Sequence, residues 1–358
     1  MEQILTILDS DKIGCGGAEG ILEQIVYENL RRNNRVHIFF IRKAFYLDWE
    51  KVTNKNLILH YGNGTVWGLI YNLLKCRNIE FKYAFTSLVL HTACLGMLRR
   101  FRLINISKFI GRESTSIFCR FSGMKLFFIK LLYFIGYPAV DVLICQTEEM
   151  KKQLLNNLKW LEKSAKVVVV PNPVDLDRVR YASREYIKLD QYGDYIVAAG
   201  RLATVKGFDI LIKSYQILRK EYKNINLVIL GAGPLEDELK KQVNNFHLDD
   251  NVFFPGLVNN VYPYFKGAKL CVISSIIEGF PNVLLQMMSQ NTKVVSTLCA
   301  GGIGEISGLF TCKTGNEIDL ANAMSLCLES DTTECRRQFD MELSKRSIVC
   351  FVDKVINY

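Results

Sequence analysis

Two cations stand five residues apart in one loop. Arg201 and Lys206 are bracketed by Gly200 and Gly207 in "GRLATVKG". Cations aimed at one point neutralise a diphosphate. Further on, "SSIIEGFPNVLLQMM" (Ser274 to Met288) sets one carboxylate, Glu278, beside Gly279, Phe280 and Pro281, between an apolar strand and an apolar helix. Pro281 suits the first turn of that helix, where its missing N–H costs nothing. Asn282, Val283 and Leu284 are then expected to offer free backbone N–H groups at the positive end of the helix dipole, which makes an anion site. A carboxylate does not bind phosphate, so Glu278 is expected to meet sugar hydroxyls next to it. Phosphate beside a polyol implies a nucleotide sugar. A departing nucleoside diphosphate develops negative charge, which Arg201 and Lys206 would stabilise. In the first half, "GCGGAEG" adds Gly16 and Gly17, whose backbone can approach the same phosphates closely.

The elements that must carry these loops alternate. "ILTIL", the Gly-rich turn, "ILEQIVYENLRRN" and "RVHIFFI" read as strand, turn, helix and strand. The strands "NLILHY", "YAFTSLV", "LINISKFIG" and "VDVLICQ" follow, separated by helical patterns. The second half repeats the scheme from "KVVVVPNPVD" through "YIVAAG", "NLVILGAGP", "NVFFPGLV", "LCVISS" and "KVVSTLCAGG". Alternating strands and helices imply mostly parallel sheets, whose ligands bind at the carboxyl ends of the strands. The expected division is residues 1–172 as an N-terminal Rossmann-like acceptor domain and 173–340 as a C-terminal Rossmann-like nucleotide-sugar domain. Residues 341–358 form a tail helix, read together with "FDMEL", that packs back on the first.

Bulk composition narrows the classes. The chain has 358 residues, 49% hydrophobic and 23% charged, as a globular protein does. Eleven Cys are scattered singly, which reads as reduced thiols. Four His (His37, His60, His91, His247) lie far apart in sequence, so no metal site is expected. The acidic start "MEQILTILDSD" reads as a strand and not a leader, and no apolar run reaches the ~20 residues of a membrane span. Met1 to Asp175 holds 24 Lys and Arg against 15 Asp and Glu, whereas the remainder is balanced at 21 and 21. Within the basic half, Arg99 to Tyr137 carries eight cations against one acid, Glu113, with aromatic and aliphatic residues between them. Cations threaded with "LFFIKLLYFIGY" fit a membrane surface better than a nucleic-acid groove.

Taken in order, "GGAE" (Gly16 to Glu19), "NPVD" (Asn172 to Asp175), "GRLATVKGFDILIKSY" (Gly200 to Tyr215), "LVILGAGP" (Leu227 to Pro234) and "EGFPNVLLQMM" (Glu278 to Met288) resemble the retaining GT-B glycosyltransferases called glycosyltransferase family 4, of the kind used in bacterial surface polysaccharide assembly. The resemblance implies an α/β GT-B fold: two facing Rossmann-like, doubly wound parallel-sheet domains. It implies Arg201 and Lys206 at the donor diphosphate and Glu278 at the transferred sugar. Gly200 and Gly279 to Leu284 would lie around sugar and phosphate, and Val258 and Asn259 at the base. The family's second Glu, at the ribose, is here Gln286, whose amide can still serve a diol. "FIGRES" stands where many members carry a His, which assigns Arg112 and Glu113 to the cleft.

The resulting expectation is a hexosyltransferase that needs neither metal nor cofactor beyond its donor, a UDP-sugar for preference. It acts with retention on a polyprenyl-diphosphate-linked saccharide, in the cytoplasm and peripheral on the inner face of the plasma membrane. No nucleic acid is expected. The same chemistry on a soluble acceptor and a catalytically silent scaffold remain open. A Rossmann dehydrogenase fits worse, because no acid ends "RVHIFFI" to grip a ribose. The triplets Asp9–Asp11 and Asp175–Asp177 read as a loop and a helix cap, and His91 as a locally bonded residue.

Overall fold

The computed structural model describes all residues except 13–16, 43–44 and 47, so Gly16 lies outside the described residues. The chain forms two compact units, Met1–Pro173 with Ile348–Tyr358, and Val174–Ser347.

The first unit holds β1 (Gln3–Leu8), β2 (Arg35–Phe40), β3 (Leu57–Tyr61), β4 (Glu80–Thr86), β5 (Asn105–Arg112), β6 (Val142–Cys145) and β7 (Lys166–Val169), in the spatial order 3-2-1-4-5-6-7. The paired strands are all parallel. Their period of two sends side chains to opposite faces. Leu5, Ile7 and Phe39 enter one core, while Ile4, Leu8, Ile38 and Phe40 enter the other. Both faces are covered, which is why these strands read as unbroken apolar runs. The second unit holds β8 (Tyr195–Ala199), β9 (Asn226–Leu230), β10 (Val252–Gly256), β11 (Leu270–Ile273), β12 (Val294–Thr297) and β13 (Phe310–Cys312), in the order 10-9-8-11-12-13, again parallel throughout.

The boundaries differ from those expected. The chain crosses after Pro173 and returns at Ile348, not at 341. Leu343 is buried in the second unit's core, and Val174 N–H donates to Arg346 O at 2.7 Å, so residues 341–347 stay there. The tail is two helices, Thr333–Ser344 and Ile348–Asn357. Only the latter joins the first unit, through Phe351, Val352 and Val355.

The helix Gly123–Gly136 packs on Val89–Arg100 by backbone approach. A Cβ on Gly96 would stand 2.1 Å from Gly136 O, and one on Gly136 would stand 2.4 Å from Ala93 O. The replacement Gly96→Ala is therefore expected to cost about 1–3 kcal/mol through overpacking. Urea unfolding measures it, and an unchanged midpoint would show that the helices do not cross this closely.

Candidate functional site

In the second sheet the strand order reverses between β8 and β11, so the loops leaving their carboxyl ends part and open a crevice. The loop after β8 carries Arg201 and Lys206, and the loop after β11 carries Glu278. The two are laced together. Ser274 Oγ donates to Lys206 O at 2.8 Å, and Ile276 N–H donates to Val205 O at 2.8 Å. Gly207 lies at φ +61°, and a Cβ there would stand 2.3 Å from Ser274 O. The turn after β9 joins them, because a Cβ on Gly231 (φ +132°) would stand 1.9 Å from Gly200 O. Leu202 N–H donates to Ala232 O at 3.1 Å.

Two charged groups meet here. Lys206 Nζ pairs with Glu278 Oε1, which also accepts from Ser275 Oγ at 3.0 Å. Oε2 accepts no hydrogen bond among the described residues. Glu278 N–H donates to Cys299 O at 2.8 Å, and Thr297 Oγ1 to Ser275 O at 2.6 Å, which fixes the acid's backbone on β12 and its loop. Arg201 is exposed, with no ion pair among the described residues. Lys206 and the acid are thus brought together, and Arg201 lies on the same loop as Lys206.

The helix start needs correction. Pro281 is the N-cap of Asn282–Gln290 rather than its first residue, and Leu284 N–H donates to Pro281 O at 3.0 Å. That amide is used, and the Leu284 side chain is core, so Leu284 offers a ligand neither group. Val283 keeps its place in the first turn. Phe280 is buried under the Arg346 guanidinium, 4.9 Å from the ring centre. Gln286, one turn on, donates to Tyr262 OH at 3.4 Å. Val258 packs against the core after β10, and Asn259 is exposed.

In the first unit Glu113 lines a small cavity with Thr115, Ser116 and Phe118. It is buried at the end of β5, where Tyr133 OH donates to Oε2 at 2.6 Å and Tyr137 OH to Oε1 at 3.2 Å. Burial pushes its carboxyl up to about 7, against the two tyrosine hydrogen bonds and Arg112, which pull it down. Arg112 is equally buried, donating to Ser87 Oγ (2.9 Å) and Asn172 Oδ1 (2.6 Å). The pair anchors strands; the sequence placed both in a cleft because it shows position and not burial. His91 is buried and its Nε2 bonds Asp9 Oδ1 at 3.0 Å, a partner 82 residues away in the chain, and Asp175 caps Leu176–Ala182 through Arg178 N–H. Gly17 opens the helix Gly17–Arg31 at φ +72°, and Glu19 reaches back to accept from Asp9 N–H and Ser10 N–H.

Sequence reasoning missed Ser275, Thr297 and the close-approach role of Gly231. Of these only Gly231 carries a signal, a glycine directly after a strand end. It also missed that adjacent strands bring His37 Nδ1 within 3.0 Å of His60 Nε2, with Cys76 beside them.

Two parallel-sheet α/β units with this strand order are the GT-B fold. The whole chain superposes on Anabaena HepE in complex with UDP and glucose with a TM-score of 0.80 at 17% identity, covering 100% of this chain and 99% of that one. Residues 180–345 match the family model Glycosyl transferases group 1, and the second unit is a domain of that family. An uncharacterised glycosyltransferase of Methanocaldococcus jannaschii is 32% identical over 212 residues, 58% of this chain but only about half (52%) of that protein. The N-acetylgalactosamine-N,N'-diacetylbacillosaminyl-diphospho-undecaprenol 4-alpha-N-acetylgalactosaminyltransferase of Campylobacter jejuni is 26% identical over 324 residues, 87% of this chain and 86% of that one.

The raised Glu113 carboxyl has a consequence for stability. The folded state holds that proton up to about pH 7, whereas the unfolded chain releases it near the ordinary 4.5. The folded form therefore binds more protons between these values, and stability falls as pH rises through them. Urea titrations at pH 5 and pH 8 are expected to show a shallower loss for Glu113→Gln than for the native chain. An equal loss in both would refute the assignment.

Proposed function

We propose that the protein transfers a hexose or N-acetylhexosamine from a nucleoside-diphosphate sugar, a UDP-sugar for preference, to a hydroxyl of a polyprenyl-diphosphate-linked saccharide, with retention at the anomeric carbon. The observation that carries this is the meeting of Lys206 and Glu278 at the order reversal of the second sheet, with exposed Arg201 on the same loop as Lys206. Family membership of that unit supports it.

Lys206 and Glu278 hold each other while the donor is away. On donor binding the diphosphate draws Lys206, and sugar hydroxyls take over the carboxylate, so neither charge is left unpaired. Arg201 closes on the phosphates from solvent, and the first turn of Asn282–Gln290 adds its dipole. As the sugar–phosphate bond breaks, charge grows on the leaving oxygen, and this fixed positive field lowers the barrier without a metal ion. The leaving oxygen takes the acceptor's proton, and the acceptor oxygen bonds the anomeric carbon from the same face. No separate protein base is then needed.

A lipid-linked acceptor accords with the acceptor printed for the Campylobacter relative and with one surface of the first unit. No helix among the described residues is long and apolar enough to cross a membrane. Helix Gly123–Gly136 nevertheless exposes Met124, Phe127 (66%), Phe128 (58%), Leu131 and Phe134, with Lys125 and Lys130 on it and Arg120 before it, and no acid. Charge of one sign around an apolar face matches an anionic bilayer surface. The patch is narrower than the sequence implied, because Arg99 is spent on Asp141 and backbone carbonyls, Lys108 on Ile356 O, and Arg112 inside. The setting this supports is surface-polysaccharide assembly at the inner face of the plasma membrane.

Two variants separate the roles. Lys206→Ala should weaken UDP binding by about 10- to 100-fold, as loss of a charged hydrogen bond does, and transfer by on the order of 100- to 1,000-fold. Glu278→Ala should lose transfer comparably yet keep or tighten binding of free UDP, because Lys206 is released. Calorimetry with UDP and a nucleotide-sugar transfer assay decide, and a Glu278→Ala protein that transfers normally ends the proposal. For the surface, Phe127→Ser with Phe128→Ser should lower cosedimentation with phosphatidylserine-containing liposomes by on the order of 100-fold, since each ring buries a large apolar area. Equal cosedimentation of both proteins, or none of the native one, would favour a soluble acceptor.

A further inference from the structure

We propose that His37, His60 and Cys76 form a zinc-binding site in the first unit, independent of sugar transfer. His37 lies on β2 and His60 on β3, and the strand register pairs Phe39 with His60, so the two imidazoles are diagonal neighbours on one sheet face. Cys76 is the C-cap of helix Val66–Lys75 covering that face, its backbone fixed by N–H bonds to Leu73 O and Leu74 O. One ligand atom from each residue falls within a span of 4.8 Å, the one such group of three His, Cys, Asp or Glu among the described residues.

The rings are oriented before any ion arrives. Gln3 Oε1 lies 3.0 Å from His37 Nε2. An amide oxygen only accepts, so His37 carries its proton on Nε2 and turns the Nδ1 lone pair toward His60 and Cys76. A second hydrogen-bonding group that fixes the tautomer of a ligating histidine is the usual support of a metal site. His60 stacks on Phe39 with ring centres 4.2 Å apart, and His37 meets the edge of Phe81 at 5.2 Å.

Two imidazole nitrogens and one thiolate are borderline-soft donors that suit zinc, with Zn–N about 2.0 Å and Zn–S about 2.3 Å. With the imidazoles already 3.0 Å apart, closure around an ion needs shifts on the order of 1 Å. On binding, His60 moves its proton from Nε2 to Nδ1 and Cys76 releases its thiol proton to solvent. The ion takes the two lone pairs and the thiolate, and a water or an outside donor fills the fourth position. His37 sits inside β2, His60 one residue before the end of β3, and Cys76 at the end of the covering helix. The ion would pin two strands to their covering helix.

The test uses the full chain, stripped with a chelator and titrated with Co2+. One equivalent should give thiolate-to-cobalt charge-transfer absorption and the visible bands of a four-coordinate site, and Zn2+ should bleach both. Cys76→Ser should remove the charge-transfer band, and Gln3→Leu should weaken Co2+ binding by about 10- to 100-fold. Zn2+ should raise the melting temperature of the native chain and not of Cys76→Ser. Absence of the band in the native protein overturns the proposal, as does a band that survives Cys76→Ser, since ten other cysteines are present. Should Cys76→Ser fail to fold, the half-buried His60→Gln decides: unchanged cobalt affinity in it overturns the site, and a loss of at least tenfold supports it.

Discussion

Everything chemical in the second unit depends on one close approach, that of Gly207 to the Ser274 carbonyl. The loops that leave β8 and β11 start from paired strands at an order reversal, and beyond the strand ends the sheet no longer holds them together. A backbone without a Cβ at φ +61° lets one loop lie against the other. The Ser274 hydroxyl and the Ile276 amide then bond its carbonyls. Only with that lacing do a cation from one loop and a carboxylate from the other share an oxygen. A Cβ there would stand 2.3 Å from the Ser274 carbonyl oxygen, so one loop would have to move away from the other.

The first unit spends its polar groups differently. Burying Glu113 is costly unless its oxygens are bonded, and both are, by the hydroxyls of Tyr133 and Tyr137. Those tyrosines belong to the aromatic helix and the turn after it. The acid thus clamps the helix from inside, while Gly96 and Gly136 bring its backbone onto its neighbour. What remains outside is the apolar face with Phe127 and Phe128. A stable fold did not require that exposure, and contiguous exposed apolar surface is where proteins meet membranes or partners.

The sheet architecture was legible because its strands are buried on both faces and punctuated by glycine, so runs such as "YIVAAG" and "LCVISS" admit few other readings. Arg201, Lys206 and Glu278 were legible for the same reason, since each lies in the loop that follows a strand end. The sequence could not show which groups are already satisfied. Glu113 follows a strand end just as Glu278 nearly does, yet two tyrosines 20 and 24 residues further on consume it. Leu284 sits in a helix start, yet the carbonyl of Pro281 takes its amide. The His37–His60 contact was invisible because it depends on register between neighbouring strands, which spacing along the chain does not encode.

Topology alone does not tell the two units apart, but the partners of their carboxylates do. Both sheets reverse order beside their first strand, and each places a carboxylate there: Glu19 in one, Glu278 in the other. Glu19 accepts from the amides of Asp9 and Ser10, donors fixed in the backbone. A ligand could engage that oxygen only by unfolding the loop that presents it. Glu278 is held by a hydroxyl and by Lys206, a cation on a flexible stem. A polyanion can draw that cation away at small cost and leave an acid ready for hydroxyls. Beside the reversal, the acid of the first unit is thus bonded to fixed backbone donors and that of the second to side chains that can exchange.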